Sequence, residues 1–223
     1  MTGTTQERLT TAAFALFDER GFDATTVDHI AERAGVGRTT YFRHFPTKED
    51  VIFPDHDALL AVVRDRLGAS TSSNVPVAVA EAARLVLTHY LEEGERARSR
   101  YRLTSTVPAL HDREIAGQGR YQRTFREFIH RWMGGDDDSA LLAELMANAV
   151  VTAHNLVLRR WLRGETTAPE REFDIAMART IALFDTSSSA RPARASGETV
   201  VVIVRTAGTI EEIVDALRPL TSG

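Results

Sequence analysis

The sequence predicts an all-α protein with three parts: a three-helix N-terminal domain that contains a helix-turn-helix, a larger helical domain, and a short strand-and-helix tail. Two observations carry this prediction. Apolar residues recur at intervals of three and four over most of the first 185 residues, which is the period of a helix packed on a core. Glycine and proline interrupt this pattern where helices would end. We place the three parts at residues 1–47, 48–185 and 186–223.

Composition limits the classes of protein to which the chain can belong. The 223 residues carry a formal net charge of −4, and 43% of them are hydrophobic, which is enough for a packed core. The absence of cysteine excludes disulfides, thiol catalysis and cysteine zinc sites. The polar N-terminus lacks the apolar region of a signal peptide, and no stretch approaches the ~20 apolar residues of a membrane span. We therefore expect a soluble cytoplasmic protein without a membrane partner.

The first predicted helix runs from about Gln6 to Arg20. Its apolar residues form one stripe, and Gly21 supplies the left-handed residue that commonly ends a helix. This helix supports the segment that follows it. That segment, from Thr25 to Asp50, has the sequence TTVDHIAERAGVGRTTYFRHFPTKED.

The segment is predicted to form two short helices joined by a glycine turn. Thr26 caps the first helix with its hydroxyl group. Gly35 and Gly37 flank Val36 in the turn, because glycine adopts backbone angles that other residues resist. Pro46 ends the second helix.

The second short helix combines hydrogen-bonding side chains with basic charge. Phe42 and Phe45 are its predicted buried anchors. The other side chains are polar: Arg38, Thr39, Thr40, Tyr41, Arg43 and His44. Between positions 38 and 48 the chain holds three basic residues and no acid, although its net charge is negative. A DNA-reading helix needs such a face, since its side chains must reach base edges and phosphates. A structural hairpin with a solvated basic face is the alternative.

The order of apolar, turn and aromatic residues in this region closely resembles the N-terminal domain of TetR-family transcriptional regulators. The matching pattern is Gly21-Phe22-(x2)-Thr25-Thr26-Val27-(x2)-Ile30-Ala31-(x2)-Ala34-Gly35-Val36-(x3)-Thr40-Tyr41-Phe42-(x2)-Phe45-(x2)-Lys48-Glu49. It spans about the first fifty residues. Gly37 departs from the family, which commonly has serine or threonine at this position to cap the DNA-reading helix.

The resemblance implies a homodimer that binds double-stranded operator DNA and responds to a small molecule, with repression as the usual outcome. Two recognition helices related by a twofold axis would enter successive major grooves about 34–36 Å apart. Arginine at a base edge favours guanine. Base-edge contacts are expected from Arg38, Thr39 and Thr40. Phosphate contacts are expected from Thr26, Tyr41, His44 and Lys48.

Beyond Pro46 the apolar pattern continues through further helices. Thr47 is predicted to cap a long fourth helix, which Pro54 distorts. Mostly apolar helices follow at 76–91, 140–163 and 169–184, and Pro108 divides the segment from 95 to 131 into two. In the resembled family the last two helices form a four-helix bundle across the dimer axis. Their burial within one subunit is the alternative.

Arginine is concentrated between residues 95 and 131, where nine arginines stand against four acids. Solvated faces of amphipathic helices would explain this, and so would an entrance for an anionic ligand, because guanidinium groups bind phosphate and carboxylate through paired hydrogen bonds. The stretch 100–128 resembles the C-terminal domain of a mycofactocin-regulator-like TetR subgroup, which implies ligands of the acyl-coenzyme A type. We predict a ligand cavity between residues 76 and 165, lined by Leu87, Tyr90, Leu103, Phe125, Phe128 and Trp132.

No catalytic or metal site is expected. The seven histidines lack ligand spacing. Asp55, His56 and Asp57 point in different directions on a helix, so we expect them to face solvent. The GQG sequence at 117–119 lacks the third glycine of a dinucleotide-binding loop. We therefore predict no cofactor and no enzyme activity. The main alternative to a regulator is an all-helical protein-interaction adaptor that binds no operator.

The tail begins with a linker rich in serine, alanine and arginine at 186–197. A β-branched run, TVVVIV, follows at 199–204, and then a helix that ends near Leu217. A single strand cannot satisfy its own backbone hydrogen bonds. We hypothesise that it pairs with the same strand of a second subunit.

Overall fold

The computed structural model describes residues 3–71 and 75–188, and every regular element in these two segments is helical. The all-α prediction is therefore confirmed for this part of the chain. Its nine α-helices and one 3-10 turn are α1 (Thr5–Arg20), α2 (Val27–Arg33), α3 (Arg38–His44), the turn (Glu49–Val51), α4 (His56–Gly68), α5 (Val75–Glu93), α6 (Glu95–Thr106), α7 (Pro108–Trp132), α8 (Asp137–Leu162) and α9 (Pro169–Ser188).

The first three helices form the predicted helix-turn-helix domain. Thr26 caps α2, because its hydroxyl oxygen accepts a hydrogen bond from the backbone N–H of His29 at 3.2 Å. Gly35 adopts a positive φ of +67° in the turn, where any other residue would be strained. The buried side chains of this domain form one core cluster, whose large members include Leu9, Leu16, Phe17, Phe22, Ile30 and Tyr41.

The connection from α3 to α4 differs from the prediction. Thr47 begins no long helix: its N–H and hydroxyl groups both donate to Asp50 Oδ2 at 2.8 Å, and a single 3-10 turn follows at Glu49–Val51. α4 starts only at His56. Pro54 explains the break, because proline lacks an N–H group and disfavours helical backbone angles in the residue before it.

The later helices form the body. α4, α5, α7, α8 and α9 share a second core cluster, whose large members include Leu60, Leu67, Leu87, Ile129, Met146 and Phe173. α7 is continuous from Pro108, which occupies the first turn, where a missing N–H group costs nothing. Near its start, Leu110 belongs to the core cluster of the N-terminal domain. α7 therefore contributes to both cores.

α8 and α9 leave apolar side chains uncovered. Four large apolar side chains are exposed, although side chains of this kind are usually buried: Leu141, Leu145 and Leu156 of α8 and Ile175 of α9. By length and composition α8 is also the one helix among those described that could cross a membrane, but its other face packs in the body core, as in many soluble proteins. The uncovered side chains therefore mark an apolar surface of the body.

The predicted strand at 199–204 and the helix that ends near Leu217 lie outside the described residues. Their pairing with a second subunit stays a hypothesis. The predicted domain boundaries at 47 and 185 likewise stay predictions.

Candidate functional site

α3 presents a polar face to solvent. Arg38, Thr39 and Arg43 are exposed, whereas Thr40 and His44 are half-buried. Arg43 makes no ion pair within the described segments. This face has the side chains and the accessibility that contact with a nucleic acid requires.

Arg38 is held against the preceding helix in the free protein. Its Nη1 donates to the two carboxylate oxygens of Asp28 at 2.8 and 2.7 Å, and its guanidinium group lies 5.2 Å from the centroid of the Phe42 ring. Both charged side chains of this pair are more than half exposed, and ion pairs in such positions contribute little to stability. Arg38 can therefore exchange Asp28 for a base edge at low cost.

Tyr41 lies inside the N-terminal domain, so the predicted phosphate contact of Tyr41 is wrong. Its side chain is 0% exposed, and its hydroxyl group donates to the Thr47 carbonyl oxygen at 3.1 Å. Burial raises the pKa of this hydroxyl group. Phe42, a predicted buried anchor, is 40% exposed. The helical period explains the exchange: positions 41 and 45 share the inner face of α3, and position 42 is rotated away from it.

Lys48 ties the connection after α3 to the loop before α2. Its Nζ donates to the carbonyl oxygens of Phe22 and Thr25 at 2.9 and 3.0 Å, and it lies 3.9 Å from the centroid of the Phe22 ring. One N–H of the ammonium group remains for a phosphate. The predicted phosphate contacts of Lys48 and of Thr26, whose hydroxyl group caps α2, stay predictions.

A cavity of about 380 Å³ lies between α4, α5, α6, α7 and α8. Its wall is largely apolar and aromatic. Lining residues of this kind include Phe53, Val86, Tyr90, Phe125, Val150 and Leu158. A concave apolar pocket of this size with a few polar groups is the usual form of a small-molecule site.

Of the six predicted ligand residues, two line this cavity: Tyr90 and Phe125. The other four do not. Leu87 is fully buried in the body core, and Leu103 packs against the core of the N-terminal domain. Phe128 and Trp132 lie farther along α7 and line a separate cleft beside the end of α4. Apolar spacing identifies the buried face of a helix, but it does not identify the point along the helix where the packing opens.

Five of the polar side chains in the cavity wall, on α4, α7 and α8, form two hydrogen-bonded groups. His56 Nδ1 lies 3.1 Å from the hydroxyl oxygen of Tyr121. On α8, His154 Nδ1 lies 3.1 Å from Asn155 Oδ1, and Asn155 Nδ2 donates to Gln118 Oε1 at 3.2 Å. Positions 118 and 121 are three apart on α7 and so lie on one face. We call these five residues the polar strip.

Gly117 makes room for His56. A Cβ atom at position 117 would lie 3.2 Å from His56 Nε2. The prediction that the three residues 55–57 face solvent is wrong for His56, which is half-buried. Asp55 caps α4, and Asp57 pairs with Arg120. The glycine at 117 therefore serves the packing of α7 against α4.

Burial keeps both histidines of the polar strip uncharged at neutral pH. Burial, reinforced by the charges of Arg100 and Arg120, lowers the pKa of His56 to about 4. Burial also lowers the pKa of His154, and the hydrogen bond with Asn155 opposes this only in part. The polar strip is therefore neutral at pH 7.

Acid is expected to destabilise the protein through His56. A histidine with a pKa of about 4 in the folded state and 6.5 in the unfolded state is protonated first in the unfolded state. Its contribution to stability is therefore complete above pH 6.5, falls as the pH drops below that value, and stops changing near pH 4. Between pH 7 and pH 5 the loss should be about 2 kcal/mol.

Thermal unfolding at pH 7 and pH 5 measures this loss. His56→Gln should remove most of the loss of stability that His56 causes between pH 7 and pH 5. His111→Gln, at an exposed position, should keep the same loss of stability as the wild type. An unchanged pH dependence in His56→Gln would contradict the assignment.

Arg100 joins the cavity wall to the backbone before α4. It lines the cavity, is only 5% exposed, and donates from Nη1 and Nη2 to the two carboxylate oxygens of Glu93 at 2.6 Å each. Its Nε donates to the Ile52 carbonyl oxygen at 2.6 Å. Burial alone would raise the pKa of Glu93, but the hydrogen bond and charge of Arg100 outweigh it, and the pKa is lowered. The pair is therefore ionised, and its two charges compensate each other.

Arg113, near the start of α7, holds the same connection. It donates from Nη1 to Thr47 Oγ1 at 2.9 Å and from Nη2 to Asp50 Oδ1 at 2.6 Å. We call residues 45–55, between α3 and α4, the connecting segment. Two arginines of the body thus hold it, and one of them, Arg100, also lines the cavity.

Most arginines of the stretch 95–131 are engaged by neighbouring groups. Among them are the pairs Arg102–Glu95, Arg113–Asp50, Arg120–Asp57 and Arg126–Glu144, and Arg98 over the Trp161 ring. The stretch therefore forms no array of free guanidinium groups at the cavity. Two exposed arginines from the end of α8, Arg159 and Arg163, line the cavity, and Arg163 Nε donates to the Tyr101 hydroxyl oxygen at 2.7 Å.

Comparison with known sequences identifies the N-terminal domain. Residues 9–53 match the family described as bacterial regulatory proteins, tetR family. The putative mycofactocin biosynthesis transcriptional regulator MftR of Mycobacterium tuberculosis is 26% identical over 170 residues, which cover 74% of this chain and 83% of the relative. The transcriptional regulator TcmR of Streptomyces glaucescens is also 26% identical over 170 residues, 73% of this chain and 75% of the relative.

Solved structures share the fold. The SmeT–triclosan complex has a TM-score of 0.57 at 19% identity, and the match covers 81% of this chain and 91% of the SmeT chain. The fatty acid degradation regulator FadR of Bacillus halodurans has a TM-score of 0.55 at 15% identity, with coverage of 79% and 96%. Structural similarity at this level of identity supports the fold alone. The sequence match supports the DNA-binding role of the N-terminal helix-turn-helix domain, which we call the reading domain. Together they disfavour the adaptor and support a transcriptional regulator: residues 9–53 form a DNA-binding domain of the tetR family type, and the described helices have the fold of such regulators.

Proposed function

We propose that the chain is a dimeric repressor that binds a partly palindromic operator and leaves it when a small molecule occupies the body cavity. One observation carries this proposal. Arg100 lines the cavity and at the same time holds the backbone of the connecting segment, directly after the DNA-reading helix. A ligand that alters the position of Arg100 therefore acts on the part of the chain that sets the position of α3.

The exposed face of α3 makes the DNA contacts. Arg38, Thr39 and Thr40 reach base edges in the major groove. His44, Lys48 and Thr26 contact phosphates, as the sequence predicts, and Arg43 joins them because it is exposed and has no ion-pair partner in the described segments. Tyr41 supports the helix from inside.

The apolar surface of α8 and α9 supports the dimer. Leu141, Leu145 and Leu156 protrude from one long helix, and contiguous apolar surface of this kind commonly marks an interface. A second copy of the same surface would cover it in a four-helix arrangement around a twofold axis.

Release requires a ligand that binds more tightly to the body conformation whose reading helices are misplaced, because affinity for DNA falls by that same difference. One structural neighbour is a complex with triclosan, a small organic molecule, and another is a fatty acid degradation regulator. The acyl-coenzyme A type predicted from the sequence depends on cations at the cavity mouth. Arg159 and Arg163 are the candidates for that role.

Fluorescence anisotropy of the protein on DNA upstream of its own gene, at fixed salt, tests the proposal. We expect binding much tighter than to random DNA of equal length. Equal binding to both, repeated on operator fragments selected from a random library, would contradict operator recognition.

Arg38→Ala and Arg43→Ala should separate base reading from phosphate contact. Loss of Arg38 should cost about 1–3 kcal/mol on the operator and relax base preference at one position of each half-site. Loss of Arg43 should weaken binding to operator and random DNA alike and reduce the salt dependence by about one ion per subunit. Anisotropy titrations at several salt concentrations measure both effects. Uniform losses on all sequences for both variants would contradict this division.

A further inference from the structure

We propose that the effector is an uncharged, largely apolar molecule that carries a hydroxyl or N–H group and donates a hydrogen bond to His154. This inference rests on the proposed function, because it names the ligand class of the same cavity. It competes with the anionic acyl-coenzyme A type suggested by the sequence, which would depend on Arg159 and Arg163.

Apart from Arg159 and Arg163, which are exposed, the groups that line the cavity leave no free arginine for an anion to meet. Arg100 is fully engaged by Glu93 and by the Ile52 carbonyl group. His56 and His154 are neutral at pH 7. Glu114 also lines the cavity and would repel an anion. A buried charge without a partner is strongly unfavourable, so the interior favours an uncharged ligand.

The hydrogen bonds of the polar strip fix the kind of polar group that the ligand must carry. Asn155 Nδ2 donates to Gln118 Oε1, so Asn155 Oδ1 is turned toward His154 and accepts from its Nδ1–H. A neutral imidazole carries one proton, and here it is on Nδ1. His154 Nε2 is therefore an acceptor.

His154 Nε2 is buried and has no hydrogen-bond partner among the described residues. Buried acceptors are nearly always satisfied in folded proteins, and this unsatisfied acceptor belongs to a side chain that lines a cavity. A ligand O–H or N–H group supplies the missing donor. A carboxylate or an ether oxygen cannot, because neither has a hydrogen to donate.

The remaining wall sets the character of the ligand body. Five aromatic rings surround the cavity, and aliphatic side chains of α5 and α8 lie between them; the rings are those of Phe53, Tyr90, Tyr101, Tyr121 and Phe125. Aromatic rings pack well against such walls in offset or edge-on arrangements. A linked or fused aromatic body therefore suits this cavity.

Three biphenyls that differ in one substituent test the proposal: 4-hydroxybiphenyl, 4-methoxybiphenyl and biphenyl-4-carboxylate. Calorimetric titration of the full-length protein at pH 7.5 measures their dissociation constants, with palmitoyl-coenzyme A as a fourth compound. We expect the hydroxyl compound to bind about tenfold more tightly than the methoxy compound, which lacks the donor but keeps the body. The carboxylate should bind more weakly still.

His154→Phe should make the hydroxyl and methoxy compounds bind equally. His89→Phe is the matched control, because His89 Nε2 is also buried without a hydrogen-bond partner but does not line the cavity. The control should keep the tenfold preference. If His154→Phe does not fold, the comparison of the compounds on the wild-type protein decides alone.

Several outcomes would overturn the inference: no binding of any biphenyl up to its solubility limit, equal binding of the hydroxyl and methoxy compounds to the wild type, or tightest binding by the carboxylate or by palmitoyl-coenzyme A. Anisotropy on the operator separates this from the proposed function. Release of the operator by palmitoyl-coenzyme A, without a preference for the hydroxyl compound, would contradict the proposed ligand class and support the repressor. A preference for the hydroxyl compound, without any change in operator binding, would support the ligand class and contradict the ligand-released repressor.

Discussion

Arg100→Met is expected to lower the free energy of unfolding by about 3–5 kcal/mol. The substitution leaves the Glu93 carboxylate in a largely buried position without its cation and removes the hydrogen bond to the Ile52 carbonyl oxygen. An uncompensated buried charge is among the most destabilising single changes in a folded protein. Thermal unfolding followed by circular dichroism measures the loss as a fall of about 10 °C in the melting temperature.

Arg102→Met is the matched control on the same helix. Arg102 also pairs with a glutamate, Glu95, but both side chains of that pair are more than half exposed. Its loss should cost less than about 1 kcal/mol. Replacing Arg100 and Glu93 together by apolar residues should recover much of the stability, because no charge is then left unpaired. Equal losses in Arg100→Met and Arg102→Met would refute the role given to the buried pair.

Tyr41→Ala is expected to cost about 3–5 kcal/mol and to abolish operator binding by unfolding the reading domain. The ring is fully buried against Phe45, so its removal leaves a cavity behind the DNA-reading helix. Tyr41→Phe removes only the hydrogen bond to the Thr47 carbonyl oxygen and should cost about 1 kcal/mol. Thermal unfolding and operator anisotropy on each variant measure the two effects.

The phenylalanine variant distinguishes a core tyrosine from a phosphate contact. A core tyrosine predicts unchanged affinity for DNA in Tyr41→Phe at a temperature where the variant is folded. A phosphate contact predicts the reverse, with weaker binding to all DNA and unchanged stability. Phe42→Ala, at a position that is 40% exposed, should have the smaller cost in stability of the two alanine variants.

The helix-turn-helix was predictable because its signals are local. Thr26 before a helix, glycine in the turn and Pro46 after α3 each act within a few residues, and all lie where the sequence predicts. The sequence analysis wrongly placed Tyr41 at the surface and Phe42 in the core. The hydroxyl group of Tyr41 suggested a surface residue, although its ring is large enough to fill a core. The spacing of four between Tyr41 and Phe45 is the signal that places Tyr41 on the buried face.

The cavity was predictable only in part, because its walls are made by contacts between distant residues. His56 and Tyr121 are 65 positions apart, and Asn155 and Gln118 are 37 apart. One sequence contains no information on such pairs until the helices are packed. The arginine-rich stretch was misleading for the same reason. Arg113 pairs with Asp50, 63 positions away, so an excess of arginine in the local sequence does not show which guanidinium groups are free to bind a ligand.

The two arginine contacts to the connecting segment differ in what they demand of its sequence. Arg100 donates to a main-chain oxygen, which any residue at position 52 supplies. Arg113 needs a hydroxyl group at position 47 and a carboxylate at position 50. In a chimera that carries a reading head from another regulator, the first contact would form with any head, and the second only with a head that has those side chains. How freely heads and bodies of this kind can be recombined therefore depends on two side chains of the head.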